Sequence, residues 1–135
     1  MLPNYQLIDA VRKGYTAEFN EAVERGADVN ATDFNGRTAL EVAIRGNHPD
    51  IARRLIKLGA DPNQAIGKRG DKLIHLAVRL GSIGMLAVLL EEGADPNAKG
   101  NQNRTPHQYA GKAGFQFISR MLRDTGAVPP SRMTI

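Results

Sequence analysis

Short apolar stretches recur along the chain at a fixed interval, each closed by glycine and alanine. Ile51 and Leu55, Met85 and Leu89, and Ile118 and Leu122 each stand four residues apart, the spacing of one buried helix face. Gly59-Ala60, Gly93-Ala94 and Gly126-Ala127 follow them, and Gly26-Ala27 closes an earlier stretch in which Glu18 and Ala22 hold the matching positions. The glycines are 33, 34 and 33 residues apart (59−26, 93−59, 126−93). A period of this length belongs to stacked units that cannot bury their apolar faces alone. Ala10, Ala43, Ala77 and Ala110 keep the same interval. A methyl group at a fixed place in every unit predicts a close approach between helices.

The punctuation divides each unit into two helices. Gly14, Gly81 and Gly114 fall where a first helix turns back, with Gly46-Asn47 in that place in the second unit, and the glycine of each Gly-Ala ends a second helix. Between units lie about ten polar, turn-rich residues; Asp33-Phe34-Asn35-Gly36-Arg37-Thr38, with its Asn-Gly, is the best hairpin signal. Thr38 and Thr105 are expected to cap the next helix, Pro106 opening its first turn. The third unit has one extra loop residue and no such Thr, so Asp71 is expected to cap one position earlier. The units run about 4–32, 33–65, 66–99 and 100–127 in a single domain of 1–135. Residues 128–135, led by Pro129-Pro130, are expected to be an appendage.

Gly-Ala-Asp-Val-Asn (26 to 30), Gly-Ala-Asp-Pro-Asn (59 to 63 and 93 to 97), Leu-Ile-His-Leu-Ala (73 to 77) and Thr-Pro-His-Gln-Tyr-Ala (105 to 110) together resemble the ankyrin-repeat family. The resemblance covers residues 4 to 127. It implies an all-α repeat solenoid of stacked helix-turn-helix units joined by β-hairpin-like loops. Tyr5-Gln6-Leu7-Ile8, Glu18, Lys72 and Arg123 depart from the pattern; at the ends, such departures suit capping repeats, whose outer faces must be polar.

Composition then narrows the chemistry. Aromatic residues are 5% of the chain and Trp is absent, which leaves Ala, Leu, Ile and Val to build the core. There are no cysteines, so disulfides, thiolate metal sites and a cysteine nucleophile are excluded, and the expected compartment is reducing and cytoplasmic. The N-terminus lacks the charged and apolar regions of a leader, and no run of about 18 apolar residues predicts a membrane span. His48, His75 and His107 occupy three different places in their repeats, so stacking does not align them as metal ligands, and His75 matches the family's structural His. Ser82, Ser119 and Ser131 lie in no nucleophile motif. The expectation is a non-enzymatic chain with no cofactor and no metal.

What remains is charge. The family's partners dock on the face made by hairpin tips and the exposed ends of first helices, which the resemblance carries onto Arg12 and Lys13; Phe34, Asn35, Arg37 and Arg45; Lys68, Arg69, Asp71, Arg79 and Leu80; and Asn101, Gln102, Arg104, Lys112 and Ala113. Nine of these are basic and Asp71 alone is acidic, in a chain of 18 basic and 14 acidic residues, so the negative charge is expected elsewhere. A face of one sign speeds encounter with an oppositely charged partner. A monomeric adaptor or inhibitor that binds an acidic protein surface is therefore expected, with Phe34 as an apolar anchor. A sequence pI near 9.7 leaves a nucleic-acid binder as the alternative.

Overall fold

The computed structural model describes residues 2–126. The expected appendage, 128–135, lies outside them, as does Ala127, and of Lys112 and Ala113 only the backbone is described. Two compact units divide the chain, Met1–Asp61 and Pro62–Ile135. Each is made of helix pairs: α1 (Pro3–Lys13) with α2 (Thr16–Glu24) and α3 (Ala39–Arg45) with α4 (Pro49–Lys57) in the first, α5 (Leu73–Leu80) with α6 (Ile83–Glu91) and α7 (Pro106–Ala113) with α8 (Gln116–Asp124) in the second. Among the described residues there is no strand beyond two isolated antiparallel bridges, Thr32 with Thr38 and Ala65 with Lys72.

The alanines serve twice. All four side chains are buried, and all four carbonyls accept a hydrogen bond from the residue five positions on: Tyr15 N–H to Ala10 at 2.9 Å, His48 to Ala43 at 2.9 Å, Ser82 to Ala77 at 3.1 Å and Phe115 to Ala110 at 2.9 Å. Long reach-back bonds of this kind close a helix over a left-handed residue. That residue is glycine at 14, 81 and 114, and Asn47, with φ 59°, in the second pair, where Asn was expected to substitute. Ala60 and Ala94 repeat the device on Leu55 and Leu89.

Ile51, Leu55, Met85, Leu89, Ile118 and Leu122 are buried as the four-residue spacing predicts. In α2 the anchor moves. Glu18 is exposed, and Phe19, one position later, is fully buried, as is Ala22. The guanidinium of Arg54 stacks over the Phe19 ring at 5.4 Å and its Nη1 donates to Asn20, tying α4 to α2.

The loops explain the uneven period. Asp33 N–H meets the Arg37 carbonyl at 2.9 Å and Gly100 meets Arg104 at 2.8 Å, each four residues on, whereas Ile66 meets Asp71 at 2.7 Å, five on. The extra residue sits in the Gly67–Gly70 tip. Thr38 and Thr105 cap as expected, and Gln108 Oε1 returns a bond to the Thr105 N–H at 2.8 Å. The expected Asp71 cap is not formed. Lys72 is the residue at the start of α5, its N–H donates to His75 Nδ1 at 2.9 Å, and the Asp71 carboxylate turns to partners in the next hairpin and helix.

Candidate protein-interaction surface

In the first unit the hairpin tip is built by Asp33. Its Oδ1 accepts the backbone N–H of Asn35 at 2.8 Å and of Arg37 at 3.0 Å, which fixes the turn and leaves Phe34 and Asn35 exposed, Phe34 completely. The basic residues assigned to this side are present but not alone. Arg12 Nη2 lies 3.9 Å from Asp33 Oδ2, and Lys13 Nζ lies 3.0 Å from Asp9 Oδ2, a contact that raises the Lys13 pKa. Glu41, buried at the first turn of α3, takes Arg45 Nε at 2.9 Å and Arg37 Nε at 3.7 Å on the same oxygen. Negative charge expected elsewhere is therefore interleaved with the positive. Pairs like these, whose cations stay exposed to water, contribute little stability, about 1 kcal/mol each, but they cancel the field of each cation at short range.

The second unit differs. Asp71, assigned to the partner face, is buried and turned inward: its Oδ1 accepts the Asn101 N–H and the Tyr109 hydroxyl, each at 2.8 Å, while Oδ2 lies 3.5 Å from Arg79 Nη2. His75 stands beside it, its Nε2 3.0 Å from the Ala98 carbonyl and 3.1 Å from that of Arg104. Since Nδ1 accepts from Lys72, Nε2 carries the proton and donates to those carbonyls. The Tyr109 ring meets His75 edge-on at 5.2 Å. No side chain fits at residue 100, since a Cβ there would lie 2.5 Å from Asp71 Oδ1 and 2.8 Å from His75 Cε1. Asp71 and His75 thus bind two hairpins together, and a Cβ on Gly70 would be 3.8 Å from the Gly100 carbonyl carbon.

On these two joined hairpins the cations are unpaired. Lys68, Arg69, Lys99 and Arg104 have no acidic partner among the described residues; Arg104 instead donates to Gln102 and lies over the Tyr109 ring at 5.7 Å. Lys99, exposed in the loop that follows α6, was not among the expected site residues, though it stands beside the Gly100 tip in sequence. Leu80 and Gln102 are exposed and Asn101 half-buried, while the side chain of Lys112 is outside the description. Of the nine expected cations, five have acidic partners.

Burial depresses the pKa of His75, against the raising effect of Asp71 and the two carbonyls, and burial followed by the charge of Arg123 depresses that of His107. For Asp71, burial pushes the carboxyl up, but the Asn101 amide, the Tyr109 hydroxyl, His75 and Arg79 together hold it below the usual range. All three shifts have one sign. The unfolded chain binds more protons, so stability present above the unfolded pKa is lost on acidification, below about pH 6.5 for the histidines and below about pH 4 for Asp71. His107 occupies the place of Leu40 and Ile74 two residues past the helix cap, and both its ring nitrogens are buried without a hydrogen-bond partner among the described residues. His107→Leu is expected to raise stability by about 1 kcal/mol at pH 7 and by more at pH 5. Thermal melts at the two pH values check this; an unchanged or lower melting temperature would show that the ring is satisfied.

Among the described residues no three His, Asp or Glu side chains could hold a metal ion together, and no helix is long and apolar enough to cross a membrane. Two ankyrin family models match the chain, "Ankyrin repeats (many copies)" over residues 23–65 and "Ankyrin repeat" over residues 69–101. Human cyclin-dependent kinase 4 inhibitor B is 30% identical over 117 residues, 87% of this chain and 84% of that protein. Cyclin-dependent kinase inhibitor 2A of Monodelphis domestica is 29% identical over 88% of this chain and 69% of its own length. Palmitoyltransferase Hip14 of Drosophila melanogaster is 33% identical over 70% of this chain, which spans only 15% of that larger protein. The chain belongs to the ankyrin-repeat family, whose repeats are protein–protein interaction modules.

Proposed function

We propose that the chain binds an acidic surface on a partner protein, through the paired hairpins of its second unit, and acts as a cytoplasmic adaptor or inhibitor by covering that surface. The observation that carries this reading is the contrast in pairing. Arg12, Lys13, Arg37, Arg45 and Arg79 each have a carboxylate within 4 Å, whereas Lys68, Arg69, Lys99 and Arg104 have none among the described residues. Unpaired cations on a rigid edge keep their field, which steers an anionic partner and sets the salt dependence of its association. An inhibitory role is supported by the two relatives matched along most of their length, both named as kinase inhibitors.

A nucleic-acid partner would use the same cations. Single strands also need aromatic platforms, and the ring on these hairpins' flank, Tyr109, is half-buried beneath Arg104. Binding of a glutamate-rich peptide and of a single-stranded DNA of equal charge, followed by amide resonances over a series of salt concentrations, separates the two. The expected result is peptide-induced shifts at 67–70 and 99–104, with DNA binding weaker at every salt. DNA binding tighter than the peptide near 150 mM salt would reverse the assignment.

A further inference from the structure

The first unit holds a cleft of about 260 Å³ between α1 and the Asp33 hairpin, with Tyr5 and Ile8 from the helix and Phe34 from the hairpin tip among its walls, and Asp9, Arg12 and Asp33 at its polar edge. The geometry points to a socket for one large apolar side chain, of the Leu, Met or Phe kind, carried on an exposed segment of a partner protein. Three observations converge on that occupant. The volume is below the roughly 300–1,000 Å³ of small-molecule sites, which suits a single side chain better than a cofactor or metabolite.

Charge gives the second reason. Every ionic group at the edge already has a counter-charge from the same unit, Asp33 from Arg12 at 3.9 Å and Asp9 from Lys13 at 3.0 Å. A charged guest would have to break one of these pairs and leave a half-buried group without a partner, whereas an apolar guest leaves both intact. The third is exposure. Phe34 is completely exposed and Tyr5 about half exposed, while Ile8 below them is only 6% exposed. An aromatic rim over an aliphatic floor loses water-facing apolar area only when a guest enters, the arrangement of an interface hot spot. The Asp33 turn, fixed by two backbone hydrogen bonds, holds Phe34 in place beforehand. Phe34, which the sequence offered as an apolar anchor, is then a wall of the site that receives the partner's side chain.

This socket rests on the reading of the chain as a protein-binding module, but its test needs no partner, so the two can fail separately. The probes are N-acetyl-phenylalaninamide, N-acetyl-leucinamide, N-acetyl-lysinamide and N-acetyl-glutamic acid amide, titrated into the labelled full chain. The two apolar amides are expected to shift the backbone resonances of Tyr5, Ile8, Thr32 and Phe34 with dissociation constants on the order of millimolar. Phe34→Ser, which removes an exposed ring and leaves the core untouched, should weaken them at least about fivefold, and Tyr5→Ser should do so to a lesser degree. Equal shifts from the charged amides, or apolar binding that survives Phe34→Ser with the fold intact, would overturn the proposal.

Discussion

Replacing Asp71 by alanine is expected to lower stability by about 2–3 kcal/mol, which corresponds to a fall in melting temperature of roughly 10 °C. The carboxylate collects the Asn101 amide, the Tyr109 hydroxyl and the Arg79 guanidinium, and alanine leaves all three without it. Solvent can reach part of this site, since Tyr109 and Asn101 are only half-buried, which keeps the loss below that of a fully enclosed ion pair. Asp71→Asn retains an acceptor for the amide and the hydroxyl but not the charge, and should lose about half as much. The aspartate's stabilising effect should also fade below about pH 4 in the parent, because protonation abolishes the form that the three donors favour. A melting temperature for Asp71→Ala within about two degrees of the parent would show that the two hairpins are held by backbone contacts alone.

Ala77→Leu should cost about 1–3 kcal/mol from overpacking. The side chain of Ala77 has no exposed surface, and its carbonyl closes α5 by accepting the Ser82 N–H. Three added carbons must displace the neighbouring helix or tilt α5, and tilting breaks that closing bond. Calorimetry should show a lowered transition, whereas a variant melting within a degree of the parent would remove the alanine ladder from the tight contacts.

These two residues also show what could be read from the sequence. The alanine ladder, the left-handed Asn47 and the threonine caps rest on local geometry repeated every 33 residues or so, and repetition turns weak local signals into a strong one. Phe19 was missed because helix α2 shifts its buried anchor by one position, from the place of Ile51 and Met85 to the next residue, a departure that the repeat spacing does not register. Asp71 was read as a helix cap because the rule is local; its true partner Tyr109 lies 38 residues away. The charge pattern was half legible. Asp9 with Lys13, Arg37 with Glu41 and Glu41 with Arg45 are all four apart, the spacing at which opposite charges meet, yet a tally of basic positions alone does not register them. Arg12 with Asp33 joins different elements and needed the fold.

The pairing changes which substitutions test the surface. Reversing Arg45 or Arg79 would set a new carboxylate beside Glu41 or Asp71, so lost binding could reflect lost folding. Lys68 and Arg69 are exposed and have no such partner among the described residues. The most direct measurement is the association rate of the glutamate-rich peptide, over a series of salt concentrations, with Lys68→Glu/Arg69→Glu and with Arg120→Glu/Arg123→Glu, two exposed positions on α8. The hairpin variant should associate at least about tenfold more slowly at low salt and lose most of the salt dependence, while the α8 variant should keep both. The opposite order, with the α8 variant impaired and the hairpin variant unchanged, would contradict the assignment of the acidic partner to the second unit's hairpins.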